Sequence, residues 1–283
     1  MESILLILVV LGVSIQSISK KAYNEKNPSG AYSFSAASVV FALIVFLIVG
    51  KGKFEFEPRV LIYAVWFAVS YSVACVASFA AIATGSLSLT SLIIQYSLIV
   101  PSFYGLIALG EDISATLVIG LILLGISLIF VNLEGKSEKK ITLKWVIFAF
   151  LAFAGNGACS TVQKAQQIEF NGMYKSELMI MALIISAIVV FAFAFFNEKK
   201  ETAEHLKKGV VWYAVCGIAN GLVNYFVLIL SNTVPASVMF PIIAAGGIIV
   251  TALVSICLYK EKLSNQQKIG FVLGIFAIIL LNL

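Results

Sequence analysis

The sequence predicts an all-α membrane protein: ten transmembrane helices arranged as two inverted five-helix repeats. Three observations lead there. Of 283 residues, 61% are hydrophobic and 12% charged, whereas an ordinary soluble domain has about 45–50% and about 25%. The apolar residues are gathered into ten long runs, each close to the roughly 20 residues a helix needs to cross about 30 Å of hydrocarbon, without the alternation of a barrel strand. The end of the first half also recurs at the end of the chain. Glu111/Glu261, Ser114/Ser264, Ile119/Ile269, Gly120/Gly270, Leu123/Leu273, Ile129/Ile279, Asn132/Asn282 and Leu133/Leu283 are identical at one constant offset. A unit with an odd number of spans, used twice, must present its copies in opposite senses.

In order, the runs occupy residues 3–19, 31–49, 60–83, 87–109 and 114–133 in the first half, and 143–163, 175–196, 208–230, 235–258 and 265–283 in the second. Residues 1–133 form the first repeat and 143–283 the second, joined by a charged linker at 134–142. Span one follows Met1-Glu2-Ser3 with neither a basic leader nor an Ala-x-Ala signal, so it is expected to stay in place as the first helix. Spans five and ten carry the tightest repeat match and few polar residues, and are expected to be peripheral scaffold. Pro101, Pro235 and Pro241, in spans four and nine, mark interruptions of the helical ladder that suit hinges. The Gly217-x3-Gly221 and Gly270-x3-Gly274 spacings fit close-packing faces.

The repeat reaches beyond its best-matched end. Trp66/Trp212, Ala68/Ala214, Val69/Val215 and Ser91/Ser237 pair spans three, four, eight and nine, while Gly12/Gly155, Ser17/Ser160, Lys21/Lys164 and Ala22/Ala165 pair spans one and six. Gly110-Glu-x-Ile-Ser114 is followed by Ile119-Gly-x4-Gly125, and echoed by Glu261-x-Leu-Ser264 with Ile269-Gly270. On these features the whole chain resembles the drug/metabolite transporter superfamily, EamA-like branch. The resemblance implies a secondary carrier, often an exporter of amino acids or other small metabolites, with both termini in the cytoplasm. Many relatives carry an arginine in spans two and seven, where this chain has Tyr32-Ser-Phe-Ser35 and Tyr174-Lys-Ser-Glu177. A nucleotide-sugar or phosphate-ester exchanger and a multidrug exporter are the alternative carriers; a channel is the alternative class.

The net charge of +5 comes from loop lysines. Loops one-two, five-six, seven-eight and nine-ten carry far more of them, including Lys136, Lys139, Lys140, Lys199, Lys200, Lys207 and Lys208, than the opposite side. By the positive-inside rule this puts both termini outside, the reverse of what the resemblance implies. A reporter fused after Leu283 discriminates the two. The expected location is a bacterial inner membrane.

Chemistry must lie in polar residues within the spans. Lys21 and Lys164 occupy matching positions near span ends. A lysine at mid-bilayer costs about 2.5–3.5 kcal/mol on insertion scales, so each either snorkels along its aliphatic stem or lines a cavity, where it attracts a carboxylate or phosphate. Beside Lys164, Asn156, Ser160, Gln163 and Gln167 recur on one face of span six, and Ser17 lies in phase with Lys21. Asn220 and Asn224 sit one turn apart on span eight, Ser91 and Gln95 on span four, and Tyr71 on span three. Such stripes either read a polar substrate or hydrogen-bond neighbouring helices, and amides do both without net charge. The candidate substrate-binding set is therefore Ser17, Lys21, Tyr71, Ser91, Gln95, Asn156, Ser160, Gln163, Lys164, Asn220 and Asn224, around a central cavity between the repeats. Gly155 and Gly157 flank Asn156 and allow close backbone approach. Glu177, just inside span seven, is the candidate coupling carboxylate, or an acidic residue favoured by the helix dipole.

Other signals are missing. The chain has no Gly-x4-Gly-Lys-Ser/Thr phosphate loop, so transport is expected to draw on gradients. Cys75, Cys159, Cys216 and Cys257 occur singly in four spans and read as small packing residues, and the one histidine, His205, falls in a charged loop. No catalytic residue, metal or cofactor is expected. The expected partners are a small-molecule substrate and the lipid bilayer, not nucleic acid, with the chain a monomer or weak homodimer.

Overall fold

The computed structural model describes residues 1–27, 29–84, 93–94, 96–132, 142–259 and 264–281, and among them every regular element is helical. α1 (Glu2–Lys26), α2 (Ala31–Val49), α3 (Pro58–Thr84), α4 (Ile99–Ala108) and α5 (Ala115–Asn132) are followed by α6 (Leu143–Glu169), α7 (Lys175–Glu198), α8 (Val210–Leu230), α9 (Ala236–Tyr259) and α10 (Asn265–Leu281). A short connector helix, Thr202–Lys208, joins α7 to α8. Six described segments are long and apolar enough to cross a membrane: Glu2–Lys20, Ala31–Val49, Pro58–Ser78, Leu143–Glu169, Lys175–Glu198 and Val210–Leu230. Shorter apolar segments, Ile99–Ala108, Ala115–Ser127, Ala236–Gly247 and Lys268–Ala277, stand where the other four spans were expected. Most of the linker, 133–141, lies outside the described residues.

Span four departs from the expected single helix. Ser97–Leu98 forms a turn and the helix resumes at Ile99. Pro101 accounts for it, because a proline ring occludes the carbonyl four residues earlier, here that of Ser97. Of the other two expected interruptions, Pro241 lies inside α9. Pro235 immediately precedes that helix and introduces it rather than breaking it.

Glycines decide which helices touch. A Cβ on Gly155 of α6 would fall 2.7 Å from the Ser70 carbonyl oxygen and 2.9 Å from the Ala74 nitrogen, so α3 and α6 meet backbone to backbone. At the far end of that contact Phe170 meets the Tyr63 ring edge-on, which makes the two helices antiparallel. The repeat-related Gly12 of α1 plays the same part against α8, its Cβ position lying 2.5 Å from Val223 Cγ2, and Tyr23 lies against Gly209 where α8 begins. On its other side α8 presents Gly217 and Gly221 to Ser38 and Val45 of α2. α2 runs antiparallel to α7, with Gly50 against Ser176 at one end and Ser33 against Glu198 at the other. α5 and α10 are joined where Ser127 Oγ donates to the Gly270 carbonyl at 2.6 Å.

The buried core is built on Phe46, Phe67, Leu178, Met179, Leu183 and Leu228. The periphery is equally apolar: Ile107 is 80% and Phe196 72% exposed, and Ile48, Trp66 and Phe195 join them. An apolar surface on that scale cannot face water, and helices whose backbone bonds are all internal are what a bilayer accepts. The chain is an integral, multi-pass membrane protein.

Candidate functional site

The interior of the bundle is crossed by a line of amides. Gln163 Nε2 of α6 donates to Asn224 Oδ1 at 2.7 Å. Asn224 Nδ2 donates to the carbonyl and side-chain oxygens of Asn220 at 2.8 and 3.2 Å, and Asn220 Nδ2 donates to Gln16 Oε1 of α1 at 2.9 Å. Donation runs in one direction along the line, and its last bond crosses from the second half of the chain to the first. Gln16, Asn220 and Asn224 are half-buried although neighbouring helices pack around them. About two turns away on α6, Asn156 Nδ2 donates to Ser97 Oγ at 2.6 Å, at the break in span four. Gly157 makes that contact possible, since its Cβ position lies 2.8 Å from the Ser97 carbonyl oxygen.

Tyr71 stands beside this line, its ring stacked on Phe67 with centroids 5.9 Å apart. The Cys75, Cys159 and Cys216 thiols lie within electrostatic reach of its hydroxyl, so residues scattered singly through the sequence converge in space. Cys159 Sγ also contacts the Phe67 carbonyl oxygen at 3.8 Å. Lys20, exposed, lies within electrostatic reach of Cys75 and Cys216. It brings a positive charge near the thiols. Among the described residues no group of three or more His, Cys, Asp and Glu is arranged to hold a metal ion.

The remaining candidates divide. Ser160 is half-buried on α6, near Asn156 and Gln163. Ser17 is exposed and donates to the Val13 carbonyl at 3.1 Å. Glu177 lies in the first turn of α7, where the helix dipole favours a carboxylate. Ser91, Gln95 and the side chain of Lys21 lie outside the described residues. Lys164 is 3% exposed. Its ammonium donates to the Val234 carbonyl at 2.8 Å and pairs with Glu111 at 3.8 Å.

Glu111 explains that lysine. Its carboxylate accepts from the Ala236 and Ser237 amides, at 2.7 and 2.9 Å, and from Ser237 Oγ at 2.7 Å, and so caps the N-terminus of α9. Gly105 is required beneath it, because a Cβ there would fall 2.4 Å from Glu111 Oε2. One carboxylate from the first half of the chain thus holds a helix and a buried cation of the second half.

At the other end of α8 the same device recurs with partners exchanged. Glu198, closing α7, accepts from the Tyr32 amide at 2.7 Å, from the Ser33 amide at 3.1 Å and from the Ser33 hydroxyl, capping α2. Its cation is His205. The ring is 7% exposed, with Nδ1 3.2 Å from Glu198 Oε2 and Nε2 3.2 Å from Ser29 Oγ. The sequence alone puts this histidine in a charged loop. The signal that marks it is the pair Gly30 and Gly209: added Cβ atoms would strike the His205 ring and the Tyr23 ring respectively.

The sequence model of the EamA-like transporter family matches residues 140–283, the expected second repeat with the end of the linker. No curated protein matches in sequence. Among solved structures, one crystal structure of a protein is similar in fold, with a TM-score of 0.79 at 12% identity, over 99% of this chain and 95% of that one. The match to half the chain, together with the apolar helices, places it: this protein belongs to the EamA-like transporter family, within the drug/metabolite transporter superfamily, and is a membrane transporter of that type.

Proposed function

We propose that the chain is a ten-span secondary carrier of small polar metabolites such as amino acids, working as an exporter by alternating access between two inverted five-helix repeats in a bacterial inner membrane. The observation that carries this reading is the amide line Gln163–Asn224–Asn220–Gln16. Amides in a bundle this apolar serve either as glue or as a site, and the half-burial of Gln16, Asn220 and Asn224 beside a buried Gln163 favours the site. Helix pairing supports the two-fold arrangement, since α3 on α6 and α1 on α8 use the repeat-related Gly155 and Gly12. The break at Ser97–Leu98 beside Asn156 supports it further, because interrupted helices at carrier midplanes expose backbone groups to substrate.

Tyr71, Asn156, Ser160, Gln163, Asn220 and Asn224 form the substrate site in this reading, with Lys20 supplying one positive charge for one carboxylate. A phosphate-ester exchanger requires Lys21 and Lys164 together in the cavity, and the Lys164 ammonium is already engaged by Val234 and Glu111. Thermal stabilisation of the purified protein, screened against amino acids, nucleosides, sugar phosphates and lipophilic cations, tests the assignment. Amino acids should raise the melting temperature in the wild type and not in Asn224→Ala. Stabilisation by sugar phosphates alone, or by lipophilic cations alone, would overturn it.

A further inference from the structure

We propose that His205, held between Glu198 and Ser29, is a proton-binding site that closes the lysine-rich end of the molecule when it is charged. The inference rests on the carrier reading. Four elements meet at this ring. Glu198 ends α7, Ser29 lies between α1 and α2, the ring belongs to the connector helix, and Tyr23 near the end of α1 donates to the His205 carbonyl at 3.4 Å. Through Glu198 the histidine also acts on the first amides of α2. The cluster therefore ties α1 and α2 of the first repeat to α7 and the approach to α8 of the second.

The hydrogen-bond geometry accommodates both charge states without moving heavy atoms. Nδ1 faces a carboxylate, which only accepts, so Nδ1 carries a proton. Nε2 faces a hydroxyl, which both donates and accepts. In the neutral ring Ser29 donates to Nε2; when Nε2 takes a proton, the hydroxyl rotates and accepts. Ser29 is exposed and provides the path from water. The new charge then lies 3.2 Å from Glu198 and 3.8 Å from Glu201. Imidazole is the side chain whose ordinary titration falls between about pH 5 and 8.

The other groups facing the cluster do not compete for that proton. The Tyr23 phenol is pushed up to about 12, by burial first and then by Glu198 and Tyr213, so it stays neutral. On the connector, the Lys208 ammonium holds the exposed Glu204 carboxyl below the usual carboxylate range, and this pair stays ionised. Among the described residues, Tyr32 of α2 and Tyr213 of α8 also face the cluster. Moving α2 and the preceding loop away takes Ser29 from the ring, while Glu198 and Glu201 stay with His205 on one stretch of chain; the charged ring then loses a charge-assisted bond and the neutral ring a weaker one, so the closed end binds the proton more tightly than the open one. By linkage, proton uptake closes this end and proton loss frees it.

The chain has one histidine, so histidine-labelled, tag-free protein in lipid nanodiscs gives a single imidazole signal. The expected spectrum is the Nδ1–H tautomer at about pH 8 and the doubly protonated ring at about pH 5.5. Over the same range the Tyr32 and Ser33 amides, corrected for intrinsic exchange, should exchange hydrogen about tenfold more slowly, an effect lost in His205→Gln. An Nε2–H tautomer, or amide exchange indifferent to ring charge, overturns the proposal. Should His205→Gln fail to fold, Ser29→Ala removes the Nε2 partner and must weaken the pH response; an unaltered response overturns it equally. Solute flux in liposomes is read separately. Proton-linked exchange without solute flux defeats the carrier reading and spares the proton site, while flux without proton-linked exchange does the reverse.

Discussion

Each end of α8 is closed by a carboxylate from one half of the chain that caps a helix of the other half, but the two closures use different cations. Where α8 hands over to α9, Glu111 is paired with Lys164, whose side chain is 4% exposed and sealed against the Val234 carbonyl. At the lysine-rich end Glu198 is paired with His205, which reaches water through Ser29. A buried ammonium is released only by a competitor for its partners. An imidazole is released by losing a proton. On this comparison one end waits for a ligand or a rearrangement, and the other answers directly to pH.

The largest expected effect breaks the first closure. Glu111→Ala strips three donors at the start of α9 of their acceptor and leaves the Lys164 ammonium buried with one carbonyl. Breaking a buried ion pair by removing one partner costs about 3–5 kcal/mol, to be measured as equilibrium unfolding in detergent. Adding Lys164→Met should restore part of the loss; strictly additive losses would mean that the two do not act as a unit. Next in size is Gly155→Ala, which forces a methyl onto backbone atoms of α3 and should cost about 1–3 kcal/mol. Its repeat mate Gly12→Ala meets only a valine methyl and should cost less, so equal costs would blur the distinction between the two halves. The smallest is Glu198→Gln, which keeps an acceptor for α2 but loses the charge favoured at a helix N-terminus, about 0.3–1 kcal/mol. A loss as large as that of Glu111→Ala would make the two closures equivalent.

Much of this was legible in the sequence. Gly12 and Gly155 emerged from the repeat, and each marks where one half packs on the other. Asn220, Asn224, Gln163 and Asn156 were picked out by helical spacing, and the first three do share one hydrogen-bonded line. The repeat also flagged Glu111 and Lys164, but not that they meet, because 53 positions separate them and burial is decided by how α6 lies against the α4–α5 junction. Pro101 signalled an interruption, which falls at Ser97–Leu98 because a proline disturbs the carbonyl one turn earlier. His205 was the plainest miss. A histidine among lysines and glutamates looks solvated until Tyr23, Gly30 and Gly209 bring α1 and α8 over it, and no local pattern records that closure.

The proposed carrier function requires a water-accessible compartment around Asn220 that opens to one end at a time. It is tested by placing a single reactive thiol at that position, Asn220→Cys with Cys75, Cys159, Cys216 and Cys257 replaced, and labelling with a membrane-impermeant maleimide from each face of sealed vesicles. With Glu111→Gln added to weaken the first closure, labelling should speed up from the α8–α9 face and slow down from the lysine-rich face. Labelling that rises from both faces together, or occurs from neither, would contradict the account.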